Sequence, residues 1–271
     1  MGGIYPTSIY KYFRFNEDFK SSLINKYIWF SSKDKLNDPF EFNFKFPDNG
    51  KEISSYTNNL VRAILKTIKY KTLNKKGHLS IREVYKLFHE EPSLVHKFLK
   101  KDLELNDFKR RGICCFSEVS DEILLWSHYA DSHKGIVVEF NTSKLTTSIG
   151  EKNPDKKNIA WGRVNYVDEF PEIRLGNIPE EEVHIELAKQ FWTKLNNWKY
   201  EKEFRIVSTI KGKVNFDTSS ITKIILGCKV SKKNVEYISE FMNGIETSSN
   251  FEIIKSRLDR ENGKILIEKS S

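Results

Sequence analysis

Glu201, Glu203 and Arg205 stand at two-residue spacing within residues 198–207, W-K-Y-E-K-E-F-R-I-V, and are the residues of this chain best suited to chemistry on a sugar or an anion. Two carboxylates beside a guanidinium could stabilise developing positive charge, hold hydroxyl groups or pair with a phosphate. Aromatic and β-branched neighbours (Tyr200, Phe204, Ile206, Val207) give the stretch strand character. Period two then sets Glu201, Glu203 and Arg205 in a row on one face, with Tyr200, Phe204 and Ile206 on the other. A half-exposed strand with a salt bridge on its wet face has the same alternation, so spacing alone leaves both readings open.

A second cluster lies at residues 126–135, W-S-H-Y-A-D-S-H-K-G. One histidine beside an aromatic is ordinarily structural, but here Trp126, His128, Tyr129 and His133 fall within a single helix end and its cap. A shared metal is not expected, because the spacing of His128 and His133 sits poorly on one helical face. At residues 36–41, L-N-D-P-F-E, Asn37 and Asp38 before Pro39 form a turn, with Asp38 and Glu41 as further carboxylates. The usual phosphate loops are absent from the sequence, and Cys114–Cys115 in an apolar run reads as core packing.

The elements that must carry these groups read as a mixture of strands and helices. Strand patterns occupy residues 4–15, 27–32, 40–46, 112–117, 136–140, 163–167, 221–226, 251–256 and 264–268, the last after a turn at Asn262–Gly263. In the first, Tyr10 and Tyr12 share one face and alternate with Ile9 and Lys11. In the third, Phe40, Phe42, Phe44 and Phe46 alternate with polar residues. Helical spacing appears at Phe19, Leu23 and Ile24, over 180–195 with Ile185, Ala188, Phe191 and Trp192 inward, and over 233–242. Ser120 is expected to cap a helix starting at Asp121–Glu122, which Gly135 should end in the left-handed conformation. Residues 141–160 are polar and read as loop.

From about residue 51 to 109 the pattern is helical and lysine-rich, with Leu60, Ile64, Ile68, Val84, Leu87 and Phe88 at three- and four-residue spacing. Gly77 breaks the run, Ser80–Glu83 is a capping box, and Pro92 suits the first turn of a third helix. The expectation is one α+β domain over 1–271, built on a mixed or antiparallel sheet with an all-helical insertion at about 51–109.

With 271 residues there is ample material for a core, and 19 Phe with 11 Tyr make it a ring-rich one. A formal charge of +8 favours an anionic partner, nucleic acid or a phosphorylated small molecule. No apolar run reaches membrane-spanning length, and the N-terminus lacks the order of a signal peptide, so no membrane partner is expected. Three cysteines, two of them adjacent, give no disulfide framework, and a cytoplasmic location is expected.

I-Y-K-Y at 9–12, L-N-D-P-F-E, G-I-C-C-F-S, L-L-W-S-H-Y-A-D-S-H-K-G-I-V-V-E-F and W-K-Y-E-K-E-F-R, in that order, resemble the bacterial domain-of-unknown-function 2971 family over about residues 10–227, leaving aside the helical insertion. More distantly the chain resembles the ADP-ribosyltransferase fold. That resemblance implies a first strand carrying a His or Arg that holds NAD, an aromatic stacked on nicotinamide, and a late strand bearing E-x-E. Glu203 falls on the glutamate that grips the ribose 2′-hydroxyl, and Glu201 on the accessory acid that helps the incoming nucleophile. Lys11, or Tyr10 beside it, stands where the His or Arg belongs, a departure from the pattern, and Ser31 falls near a small hydroxyl motif. Tyr12 or Trp126 would stack on nicotinamide, and Arg205 or Lys11 would pair with the pyrophosphate. His128, Tyr129, His133, Asn37, Asp38 and Glu41 complete the implied NAD-binding set.

The reading that follows is an enzyme that cleaves NAD and passes ADP-ribose to a nucleic acid or protein, as a toxin or phage-defence effector. Two other readings stay open. One is a non-catalytic nucleic-acid-binding module using Trp126, His128, Tyr129 and the basic helices as a stacking and phosphate surface. The other is a nuclease with Asp38, Glu41, Glu201 and Glu203 around a divalent ion.

Overall fold

The computed structural model describes residues 5–45, 86, 90, 110–153, 159–173, 182–244 and 251–267. Its first half runs β1 (Ser8–Phe13), α1 (Glu17–Ile24), β2 (Tyr27–Phe30), β3 (Gly112–Ser117), α2 (Ile123–Tyr129), β4 (Ile136–Asn141) and α3 (Thr142–Lys152). Then come β5 (Ile159–Arg163), β6 (Asn165–Val167), α4 (Val183–Ala188), β7 (Thr193–Leu195), β8 (Glu203–Ser208) and β9 (Gly212–Asn215). The chain ends with β10 (Ile221–Leu226), α5 (Lys232–Asn243), β11 (Glu252–Lys255), β12 (Arg257–Asp259) and β13 (Lys264–Leu266). These elements fall into two units, a larger one of Met1–Lys35, Arg111–Val164 and Asn196–Ser271, and a smaller one of Leu36–Arg110 and Asn165–Leu195.

The larger unit holds a seven-stranded sheet in the order β11-β10-β4-β1-β3-β8-β5. The β10–β11 pair is parallel and every other neighbour antiparallel, so the α+β class and the mixed, mainly antiparallel sheet are as the sequence indicated. The ladders are uneven. β1 pairs with β4 from Ser8↔Asn141 to Phe13↔Ile136, and β3 pairs with β8 from Gly112↔Ser208 to Ser117↔Glu203. Between β1 and β3 the described register is the single pair Tyr10↔Ser117. Beyond it the strands part, and the Cys115 carbonyl accepts a hydrogen bond from Lys11 Nζ at 2.9 Å. A strand carbonyl without a ladder partner must find a donor, and a lysine ammonium reaching across the gap supplies one.

One sheet face is the main core. Ile9, Phe116, Val138, Phe140, Phe204 and Ile206 pack there against Phe19 and Leu23 of α1, Leu145 and Ile149 of α3, and Ile238 and Met242 of α5. Each such side chain stabilises the fold by roughly 1.5–3 kcal/mol on burial. The opposite face is smaller, with Trp126 and Ala130 packed on Val137, Ile225, Ile254 and Ile265. The short ribbon β2–β9 adds Ile28, Phe30 and Val214 to the main core.

Several expected elements differ. The polar run after β4 is the helix α3, capped by the Asn141 side chain on Lys144 N at 3.0 Å. Leu145 and Ile149 supply its buried stripe, while Thr146 Oγ1 and Ser148 Oγ donate back to the carbonyls of Thr142 and Leu145. Hydroxyls satisfied within their own helix let a polar-looking sequence turn inward. The cap of α2 is Glu122, whose side chain accepts from Leu124 N, and not Ser120. The expected strand at 163–167 is split, with β5 ending at Arg163 and the Val164 N–H turned to the Glu203 carbonyl.

In the smaller unit the expected strand at 40–46 is a turn. Asp38 accepts from Phe40 N at 2.8 Å, and Phe42 takes a left-handed φ of 59°, which places its ring 5.0 Å from Phe191. The expected helix at 180–195 ends at Ala188, passes through a 3₁₀ turn, Lys189–Trp192, and leaves as β7, parallel to β6. The expected insertion at 51–109 lies outside the described residues except for Lys86 and Glu90, an i,i+4 pair at 3.8 Å. No helix among the described residues is long and apolar enough to cross a membrane.

Candidate functional site

Strand β8 is buried along its whole length, flanked by β3 and β5. The Glu203–Arg205 row is therefore not a wet strand face. Arg205 Nε lies 2.6 Å from Glu203 Oε1 and Nη2 lies 3.0 Å from Oε2, a two-pronged ion pair between residues 0% and 3% exposed. A buried carboxylate needs such a partner, since an uncompensated charge there costs several kcal/mol. The expected pairing of Arg205 with a pyrophosphate fails for the same reason: its guanidinium is sealed and committed to Glu203.

Glu201 is presented differently. The strand starts only at Glu203, and Asn196–Glu201 is a 3₁₀ turn followed by Lys202 at a positive φ of 42°. That kink breaks the alternation, so Glu201 does not join the Glu203–Arg205 row. The turn is pinned to the end of β3, where Ser117 Oγ donates to the Glu201 carbonyl at 2.7 Å and Glu118 N to the Lys202 carbonyl at 2.9 Å. Ser117 is also the cross-strand partner of Glu203, so both acids are anchored at one residue. The Glu201 carboxylate accepts from Tyr129 Oη at 2.8 Å.

Tyr129 closes α2, whose inward residues are Leu125 and Trp126. Trp126 is fully buried, with Nε1 donating to the Ser120 carbonyl at 2.7 Å and its ring edge-on to Tyr12 at 5.6 Å. Tyr12 Oη donates to the Val119 carbonyl at 2.9 Å, and burial holds its pKa well above the ordinary tyrosine value. The two rings expected to stack on nicotinamide pack on each other instead, and Trp126 is a core residue.

The turn after α2 also departs from expectation. Asp131, Ser132 and His133 take the left-handed conformation (φ 49°, 53° and 71°), and Gly135 does not. Gly135 is required for closeness: a Cβ there would lie 2.2 Å from the Phe13 carbonyl oxygen. His133 serves the turn through its backbone, N–H to the Trp126 carbonyl and C=O to Lys229 N. Burial, then the nearby Lys229, lowers its pKa, and its Nδ1 is buried without a partner among the described residues.

Beside the end of β1 lies a cavity of about 760 Å³, within the usual range of small-molecule clefts. His128 and Tyr129 form one part of its wall, and Lys11, Arg14 and Lys213 supply cations against the acid Asp18. The hydroxyl of Tyr129, a wall residue, is the one that holds Glu201. A carboxylate, a phenol and several cations thus meet where β1 has left β3.

Residues 125–206 match the family described as a protein of unknown function (DUF2971). The matched stretch runs from α2 to β8 and so includes Trp126, His128, Tyr129, Glu201, Glu203 and Arg205, but it is shorter than the 10–227 over which the sequence resembles that family. No curated protein matches the chain. Among solved structures, the chain is similar to Thermus sp. 2.9 DarT in complex with ADP-ribosylated ssDNA, at 10% identity and a TM-score of 0.35, covering 92% of this chain and 94% of that one.

Of the expected site residues outside the DUF2971 match, Lys11 and Tyr12 line the cavity, Lys11 from the sheet face opposite to Tyr10 and Tyr12. Tyr10 lines a separate cavity of about 410 Å³ with Glu118, Ser120 and Asp121. Ser31 makes a backbone bridge to Ile113. Asn37, Asp38 and Glu41 belong to the smaller unit, where Asp38 caps its own turn and Glu41 lies 3.6 Å from buried Lys194. Among the described residues no group of three or more His, Cys, Asp or Glu is placed to hold a metal ion. Arg14, Trp29 and Lys213 are cavity residues to which no role was assigned from sequence. Trp29 stands in sequence as one more ring of a short apolar strand, and nothing around Arg14 or Lys213 in the string ties them to it.

Proposed function

We propose that the chain cleaves NAD and transfers ADP-ribose, with Glu201 as its working carboxylate and the buried Glu203–Arg205 pair as the anchor of the strand behind it. The observation that carries this reading is that Tyr129 both lines the basic cavity and holds Glu201. The E-x-E carboxylate is thereby set one hydrogen bond from that cavity's wall. Lys11, another wall residue, suits a pyrophosphate, and Tyr129 fixes the rotamer of the acid.

The chemistry asks little more of the protein. When the ribose C1′–nitrogen bond breaks, its electron pair leaves with the nicotinamide nitrogen and positive charge gathers on the sugar. A carboxylate close to the ring stabilises that charge, and Glu201 is the one so placed in this reading. Glu201 then takes the proton of the acceptor group as that group bonds to C1′. The charge of +8 favours a nucleic acid over a protein as the acceptor. Modification of nucleic acid in the cytoplasm would suit a toxin or phage-defence effector. The test is nicotinamide release by the purified chain and by Glu201→Gln, scored beside thermal unfolding. A loss of roughly 10²-fold with unchanged unfolding supports the reading, and no release by the parent with any nucleic acid or protein offered rejects it.

A further inference from the structure

Strand β2 buries Tyr27, Ile28 and Phe30 and leaves Trp29 55% exposed. Lone exposed aromatics are common and need no explanation. Trp29 is not in that position, because it forms part of the cavity wall together with Arg14 and Lys213. Lys213 is its direct cross-strand partner on β9, and Lys213 Nζ sits 4.7 Å from the centre of the Tyr27 ring. The ribbon therefore offers one indole in solvent and one ammonium held beside it over a second ring. Gly212, at a φ of 91°, adds no side chain over the indole: even a Cβ there would come no nearer to it than 3.9 Å.

An aromatic face in a cationic groove has a specific partner chemistry. Unpaired bases stack on such a face whatever their identity, while cations track the phosphates. In a duplex the base faces are already covered by their neighbours, and a cavity of about 760 Å³ holds one or two nucleotides and not a double helix. We infer that the Trp29 end of the cavity binds single-stranded nucleic acid, with one base on the Trp29 indole and the flanking phosphates on Lys213 and Arg14. As an acceptor for ADP-ribose, the strand rests on the transfer reading above; as a ligand of the groove it does not.

The test is anisotropy of a labelled oligothymidine of about ten nucleotides, titrated with the full chain without NAD across a salt series. Trp29→Ala should weaken binding about tenfold or more, and Trp29→Phe should keep most of it. Lys213→Glu should weaken binding and flatten the log–log salt slope by about 0.7, the share of one phosphate on a single strand. A duplex of the same length should bind more weakly than the strand. Binding that is indifferent to Trp29→Ala, or equal for strand and duplex, would overturn the inference. Nicotinamide release accompanied by Trp29-indifferent strand binding would overturn it while leaving the transfer reaction standing. Trp29-dependent binding with no NAD cleaved would do the reverse.

Discussion

Arg205 grips both carboxylate oxygens of Glu203, two residues away on the same strand, at 2.6 and 3.0 Å and shielded from solvent. Removing either partner strands a buried charge. Arg205→Met should destabilise the fold by about 3–5 kcal/mol, and Glu203→Gln should also be costly. The double variant should lose less than the sum of the two, because the second change removes the charge the first left unpaired. Urea denaturation of the three variants measures the coupling. Additive losses would mean that the pair is not a unit.

That pairing decides which carboxylate suits an activity test. Loss of activity in Glu203→Gln would mix chemistry with unfolding. Glu201 is held by the Tyr129 hydroxyl, and a glutamine there still offers an oxygen to Tyr129. Tyr129→Phe removes the hydroxyl that orients Glu201 and should slow nicotinamide release about tenfold while leaving substrate affinity nearly unchanged, since a hydrogen bond to a charged group is worth roughly 1.5–3 kcal/mol. A Tyr129→Phe enzyme with full turnover would remove Tyr129 from the positioning role.

Two glycines hold the turn after α2 by their lack of a side chain. Gly135→Ala would set a Cβ 2.2 Å from the Phe13 carbonyl oxygen, and Gly227→Ala one 2.1 Å from the His133 carbonyl oxygen. Both clashes are with backbone, so the chain itself must move. Each substitution should destabilise by about 1–3 kcal/mol, read by thermal denaturation. An unchanged unfolding temperature would mean that the turn and strand ends have room to spare.

His133 makes the turn sensitive to acid. Burial and Lys229 disfavour its charged form, so its folded pKa lies below the ordinary 6.5. Above 6.5 the imidazole is neutral in both states and stability is full. As pH falls through the depressed folded value the unfolded chain has already taken up the proton, and stability is lost. His133→Asn should reduce the loss of stability below that pH, followed by unfolding at a series of pH values. An NMR titration of His133 with its midpoint above 6.5 would contradict the assignment.

The sheet was legible where apolar and β-branched residues run without interruption, as at β4 and β10, because period and composition agree there. Helix α3 was hidden, since its buried Thr146 and Ser148 satisfy their hydroxyls within the helix and look like loop residues in a string. The Glu203–Arg205 pair was visible as spacing, but its burial depends on β3 and β5 arriving on both sides from distant parts of the chain. The kink at Lys202 left no mark, because nothing about a lysine announces a positive φ. Of the site, Glu201, His128, Tyr129 and Lys11 were readable as polar groups beside rings. The roles of Trp126 and Arg205 depend on what covers them, which spacing does not show. Trp29 and Lys213 could not be joined before the β2–β9 pairing was known.

Transfer of ADP-ribose to a nucleic acid, as proposed for this chain, leaves a covalent product that can be followed directly. The direct measurement is to incubate the chain with NAD carrying a label in its adenosine half and a single-stranded oligonucleotide, then follow the label on a denaturing gel. The parent chain should move the label onto the strand, and Glu201→Gln should cut the transfer roughly 10²-fold or more while unfolding at the same temperature. Label that stays with NAD in the parent chain, across strands of varied sequence, would contradict the claim.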